Sequence, residues 1–257
     1  MNNAQKHMRA EGGFTLVELA IVMIIIGLLI AGVLKGQALI GNARVTATVA
    51  QTKAIEAATS TFRDTYASLP GDMLTPSTRL PNCLGAPCLT AGNGNGILDN
   101  TPNQTPIAAE GERFFVHLNA ANLITNIIPA AGAPGNAFGG NYPEAKVSGN
   151  GFQASSSTGV IGNFTSIIGA TVPNSGLYLT LISLIGPPGA ATVNLKPDEA
   201  LRLDTKIDDG APDTGNVRAF GAAGPAACGQ AGAAGVGGTY STNITSAQCG
   251  LYIHIQG

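Results

Sequence analysis

Apolar residues are concentrated near one end of the chain. Residues 14–34 read FTLVELAIVMIIIGLLIAGVL, with Glu18 as the only charge. A bilayer crossing takes about 20 residues. Between Leu16 and Leu34, 13 residues are Leu, Ile or Val, which favour insertion by roughly 4–8 kcal/mol together. One carboxylate costs about 2.5–3.5 kcal/mol at the bilayer centre and less near an edge. Insertion therefore wins despite Glu18. Beyond residue 70, Gly, Pro, Asn and Thr interrupt every apolar run, so the pattern gives one span and one soluble part.

Residues 35–66 contain no proline. Leu39, Ala43, Ala47, Ala50, Ala54, Ala58 and Phe62 recur in steps of three and four, which marks one helical face. Arg44, Gln51, Lys53 and Arg63 fall off that face. The pattern predicts a helix from the apolar run to a stop before Pro70-Gly71, about 80 Å from Phe14 to Tyr66 if unbroken. Gly32 and Gly36 form a small-xxx-small pair that permits close helix approach.

The soluble part shows weaker patterns. Residues 70–106 read as a turn-rich loop. Residues 108–124 read as a helix with Phe114, Phe115, Leu118, Ala121 and Leu123 facing a core. A Gly/Pro-rich loop covers 129–151. Strands are expected at 158–172, 176–185, 217–220 and 251–256. A short helix is expected at 197–208, opened by Pro197 and closed by Gly210. Residues 221–238 read as an Ala/Gly-rich loop. A long helix against a small, mainly antiparallel sheet is an α+β arrangement. The expected layout is 1–13 before the apolar run, 14–35 in the membrane, 36–69 as the amphipathic half of the helix, and 70–257 as the soluble domain.

Composition narrows the class. Of 257 residues only 11% are charged, Gly numbers 35 and Pro 15, Trp is absent, and the net charge is −2. This is not the profile of a charged disordered chain or of a basic nucleic-acid binder, so no nucleic-acid partner is expected.

Residues 1–13, MNNAQKHMRAEGG, are polar and carry Lys6 and Arg9. A secretory signal peptide would place small residues after the apolar run; here Gly12 and Gly13 precede it. Gly13-Phe14-Thr15-Leu16-Val17-Glu18 resembles the processing site of type IV prepilins and type II secretion pseudopilins: a short basic leader ending in Gly, then Phe, then Glu four residues on, then an unbroken apolar stretch. The resemblance covers residues 9–35 closely. It implies cleavage after Gly13 by a prepilin peptidase on the cytoplasmic side, N-methylation of Phe14, and a role for Glu18 in filament assembly. It also implies a pilin-like fold, other pilin or pseudopilin subunits and an inner-membrane assembly platform as partners beside the lipid bilayer, and a bacterial inner-membrane protein whose C-terminal domain lies in the periplasm before entering a filament. Physical chemistry gives Glu18 a parallel reading. A buried charge persists when paired, and the nearest opposite charge is the ammonium that cleavage creates on the Phe14 of a neighbouring subunit. Lys35, Arg44 and Lys53 follow the span, so the Lys/Arg count does not set orientation; the leader and the cysteines do. The segments around Phe114–Leu118 and Asp204–Arg218 also resemble prepilin-like proteins, without a distinct activity.

Cys83, Cys88, Cys228 and Cys249 allow three disulfide connectivities. Local pairing, Cys83 with Cys88 and Cys228 with Cys249, is the simplest, and the second would resemble the C-terminal disulfide loop of many pilins. Disulfides call for an oxidising compartment. No C-x-x-C is present and His117 and His254 lack ligand spacing, so no zinc site is expected. Asp204, Asp208, Asp209, Asp213 and Asn216 crowd around Gly210. Hard oxygen ligands suit calcium, but the spacing departs from D-x-[DN]-x-[DN]-G and Asp-Gly turns are ordinarily turns. No metal or other cofactor is assigned. Gly92-Asn-Gly-Asn-Gly96 lacks the strand-to-helix setting of a nucleotide loop and reads as a turn, and His117 reads as a structural core histidine. No catalytic motif is present, so the chain is not expected to be an enzyme. The first reading is a structural filament subunit. The others are a minor pilin acting as a tip adhesin or binding module, which needs an exposed recognition patch, and a membrane-tethered enzyme, which needs converging titratable groups.

Overall fold

The computed structural model describes residues 13–104, 109–125, 127–129, 138–147, 149–186, 193–225, 227–233 and 236–255. Residues 1–12, with Lys6, Arg9 and Gly12, lie outside the described residues. The chain divides into two compact units, Met1–Ala43 and Arg44–Gly257, and one helix, α1 (Leu16–Tyr66), contributes to both.

In the first unit α1 is long and apolar enough to cross a membrane. Its large apolar side chains are all exposed, among them Leu19, Ile24, Leu28 and Leu34. Gly32 and Gly36 have no atom near the position a Cβ would take, so their backbone is open to an approaching helix.

In the second unit α1 buries Val45, Thr48, Val49, Thr52, Ile55, Ala58, Thr59 and Phe62. The expected alanine face is therefore corrected: Leu39, Ala43, Ala47, Ala50 and Ala54 are exposed, and only Ala58 and Phe62 of that set are buried. Threonine accounts for the rotation. Thr48, Thr52 and Thr59 each donate the hydroxyl to the carbonyl four residues back, at 2.9, 3.1 and 2.8 Å, so each can enter a core with its polar atom satisfied. A hydropathy pattern counts these residues as polar and points to the wrong side.

Four strands form one antiparallel sheet in the order β1 (Gly151–Thr158), β2 (Ser175–Ile182), β6 (Cys249–Ile255), β3 (Val217–Gly221). The period-two alternation of strands divides it into two faces. Leu179 stands between Ala154 and Ile253, and Leu181 between Phe152 and Leu251. These residues share one buried cluster with Val45, Ile55 and Phe62 of α1 and with Phe114, Phe115 and Leu118 of α3 (Glu110–Ala120). The opposite face carries Tyr178, Ile182, Phe220 and Tyr252, joined by Phe164. The Phe164 ring meets Tyr178 and Tyr252 edge-on, each at 5.0 Å between centroids. Gly250 lies under Phe220, where a Cβ would come within 2.1 Å of the ring.

The strand expected at 158–172 is corrected. That stretch is the connection between β1 and β2, with a single 3-10 turn at Ile161–Asn163. The strand comes earlier, in GFQASSST, whose first seven residues are buried. Serines hid it. Ser156 Oγ accepts Leu98 N–H at 2.9 Å and Ser157 Oγ accepts Gly159 N–H at 3.1 Å, so side chains that read as loop are satisfied inside the sheet. Phe164 and Ile167 of this stretch instead pack on the aromatic face of the sheet, while Val160 and Val172 are exposed. Within the expected loop 70–106 there is one helical turn, α2 (Pro76–Arg79). Within 221–238, β4 (Gly229–Gln230) pairs with β5 (Thr239–Tyr240) in a short ribbon. Helix α4 (Pro197–Ile207) starts at Pro197 as the sequence predicts; the Glu199 carboxylate reaches back to Lys196 N–H at 3.2 Å.

Candidate functional site

The N-terminus of α1 is built by two residues, Thr15 and Glu18. Thr15 precedes the first helical turn, where backbone N–H groups lack acceptors. Its hydroxyl oxygen accepts Glu18 N–H at 3.2 Å. In return Glu18 Oε2 accepts Thr15 N–H at 2.9 Å and the Thr15 hydroxyl proton at 2.8 Å. This is a reciprocal capping box, which gives Glu18 polar partners within its own first helical turn. The signature was present as Thr-x-x-Glu, and Thr15 is the site residue that the sequence reading missed. The box places a carboxylate at the positive end of the helix dipole. Both donors fall on Oε2; among the described residues Oε1 accepts no hydrogen bond. The neutral donors orient the charge without cancelling it. Gly13 and Phe14 lie just ahead of the helix, with Phe14 91% exposed. Phe14, Glu18, Leu19, Ile21 and Val22 border one open, mostly apolar surface.

Cys83 is bonded to Cys88, with Cα atoms 5.5 Å apart, and Cys228 to Cys249, with Cα atoms 4.9 Å apart. The second bridge ties the β4–β5 ribbon to the start of β6. His117 is fully buried in α3. Its Nδ1 accepts Gly71 N–H at 2.9 Å and its Nε2 lies 3.1 Å from Cys88 O, a pairing that requires the proton on Nε2. Burial, with Arg113 nearby, pushes the imidazole down to about 4 against a hydrogen bond to Cys88 that favours the charged form. The neutral ring thus pins the turn after α1 and the Cys83–Cys88 loop to α3.

The acidic group around Gly210 is a backbone anchor. Oxygens of Asp204, Asp208 and Asp209 lie within 4.8 Å of one another, and each carboxylate accepts local donors. Asp204 takes Gly210 N–H at 3.2 Å and the Tyr240 hydroxyl at 2.8 Å. Asp208 takes the N–H groups of Asn216 and Val217. Asp209 takes Ala211 N–H at 2.9 Å and the Thr214 hydroxyl. Asp213 takes Gly232 N–H at 2.7 Å and Gly238 N–H at 2.5 Å, fastening both sides of the Ala/Gly-rich segment. Burial raises the Asp204 carboxyl to about 7; the bonds from Tyr240 and Gly210 oppose the rise, and Asp209 and Asp208 add to it.

The N-terminal geometry defines a class: an apolar helical rod with one oriented carboxylate four residues from an exposed phenylalanine, carried by an α+β domain. Residues 8–34 match the family described as the prokaryotic N-terminal methylation motif, the prepilin-type cleavage and methylation segment. Comparison with curated proteins and with solved structures finds no match. The chain has a prepilin-type N-terminus; the motif supports a pilin- or pseudopilin-like protein, and the long apolar helix fits a membrane anchor.

Proposed function

We propose that the chain is a structural subunit of a type IV pilus or pseudopilus-like filament. A prepilin peptidase cleaves after Gly13, Phe14 becomes the N-methylated first residue, and Glu18 directs assembly with other subunits. In this reading 1–13 is the leader, 14–35 crosses the inner membrane, 36–69 is the amphipathic half of the helix, and 70–257 is the periplasmic domain. An inner-membrane assembly platform then moves the subunit from the bilayer into the filament.

One observation carries the reading: the only carboxylate of the apolar rod sits within the matched motif, one turn from Phe14, with Oε2 committed to Thr15 and Oε1 turned to no described donor. Cleavage would create an ammonium at Phe14, and the corresponding group of a neighbouring subunit can neutralise that carboxylate once helices bundle. Residues 14–34 expose their apolar side chains all round, as a helix does when its environment is lipid or other helices. The two disulfides fit an oxidising compartment. Glu18→Ala tests the role. Normal cleavage with loss of filament assembly is the expected result; wild-type assembly of the variant would overturn it.

A further inference from the structure

The chain has three Asn-Gly pairs, two of them in tandem at Asn93-Gly94-Asn95-Gly96. All four of these residues are exposed or nearly so. An Asn-Gly pair is the arrangement most open to deamidation, because glycine leaves its own nitrogen unhindered. In that reaction the Gly N attacks the Asn Cγ and the Cγ–Nδ2 bond breaks. The nitrogen leaves as ammonia, carrying the proton of the attacking N–H, and a succinimide ring closes. Water then opens the ring at either carbonyl, giving aspartate or isoaspartate. The attacking nitrogen must be free to turn toward Cγ and to lose its proton.

In this loop it is not free. Asp72 is 1% exposed, and its two carboxylate oxygens divide the two nucleophiles between them. Oδ1 accepts Gly94 N–H and Oδ2 accepts Gly96 N–H, both at 2.6 Å. The rest of the loop is held in the same way. Glu110 accepts Asn93 N–H at 3.1 Å and Asp99 N–H at 2.9 Å. Asn93 Oδ1 accepts Asn95 N–H at 3.0 Å, and Asn95 Oδ1 accepts Ile97 N–H at 2.9 Å. The amide groups that would depart as ammonia are also held: Asn93 Nδ2 donates to both oxygens of Asp99, at 3.1 and 3.0 Å, and Asn95 Nδ2 donates to Oδ1 at 3.2 Å. Gly94 and Gly96 adopt φ of +73° and +83°, a region other residues rarely enter, so the sequence keeps the reactive glycines that this turn requires.

We propose that Asn93-Gly94-Asn95-Gly96 is a latent deamidation site and that the Asp72 carboxylate guards it by sequestering both attacking nitrogens. Conversion at either asparagine would place a new carboxylate against Asp99 where an amide donor now stands, and like charges at that distance repel. The loop would then open, so a first conversion would expose the second pair.

The test is ageing of the full chain in detergent micelles at mildly alkaline pH, followed by peptide mass mapping with isoaspartate detection. The wild-type folded chain should convert at Asn93 and Asn95 at least about tenfold more slowly than the same chain unfolded in guanidinium, because a charge-assisted bond must break before attack. Asp72→Asn keeps one side-chain acceptor and the main-chain oxygen, to which Gly94 N–H also donates at 3.1 Å, so it should release Gly96 N–H and speed conversion at Asn95 most. Glu110→Gln loosens the same loop but leaves Gly94 and Gly96 bonded to Asp72, and should age like the wild type. Hydrogen–deuterium exchange on the wild-type chain supplies a readout that does not depend on a variant folding: Gly94 and Gly96 amides should be protected although the loop is exposed. Equal conversion of folded and unfolded wild type, or equal acceleration by Glu110→Gln and Asp72→Asn, or unprotected Gly94 and Gly96 amides, would each overturn the proposal.

Discussion

Replacing Asp204 by Asn should change the pH dependence of stability, making the chain relatively more stable toward neutral pH. Two fully buried groups drive it in opposite directions. His117 falls from 6.5 to about 4 on folding. Between those values the unfolded chain binds a proton that the folded chain refuses, so this group's contribution is complete above 6.5 and is lost as pH falls toward 4. Asp204 rises from 3.8 to about 7. Over that range the folded chain keeps a proton that the unfolded chain releases, so this contribution is complete below 3.8 and is lost as pH rises toward 7. Each proton is worth about 1.4 kcal/mol per pH unit. Over the window from pH 4 to 6.5, His117 adds about 3 kcal/mol and Asp204 removes about as much. The two slopes oppose each other, and Glu110, whose carboxyl burial also raises, acts in the same direction as Asp204. With Asp204→Asn the largest opposing slope is gone, and stability should climb by about 3 kcal/mol relative to the wild-type profile across the window. With His117→Gln the Asp204 slope remains, and stability should fall. Denaturant titrations of the full chain in micelles, read by tyrosine emission at several pH values, measure both. Profiles of the two variants that run parallel to the wild type would refute the argument.

Thr48 Oγ1 accepts Val147 N–H at 2.9 Å while donating to Arg44 O; Thr48→Val leaves that amide unsatisfied and should cost about 1–3 kcal/mol in the same titration. Replacing both Cys228 and Cys249 by Ser should cost about 3 kcal/mol and should speed proteolysis within residues 229–240 more than elsewhere. Gly250→Ala drives a methyl into the Phe220 ring and should destabilise by about 1–3 kcal/mol, with the loss reduced when Phe220→Leu is combined with it; a neutral single variant would contradict the close packing.

The N-terminal motif and the apolar helix were legible in the sequence because their physics is one-dimensional. A run of Leu, Ile and Val specifies an apolar helix whatever surrounds it, and Gly13-Phe14 beside Glu18 is a contiguous motif. Thr15 was legible by the same logic, through its spacing to Glu18. The long helix and α4 were readable from proline placement and helical spacing, and strands β2, β3 and β6 from apolar runs. What failed was everything decided by hydroxyl groups. Thr48, Thr52 and Thr59 turn the helix face, and Ser156 and Ser157 place a buried strand inside a stretch that looks like loop, because each hydroxyl finds a backbone partner and so enters the core although hydropathy counts it as polar. The same holds for the acidic residues. Asp72 meets Gly94 and Gly96, and Asp213 meets Gly232 and Gly238, across separations that periodicity does not reach.

The decisive measurement is the N-terminus of the protein produced in a bacterium that carries a prepilin peptidase. The mature chain should begin at Phe14, bear one added methyl group and be recovered in filaments, with the same trimmed and methylated end but no filaments for Glu18→Ala. A chain that retains Met1–Gly13 under those conditions, or one that is trimmed and assembles equally well without Glu18, would contradict the proposed function.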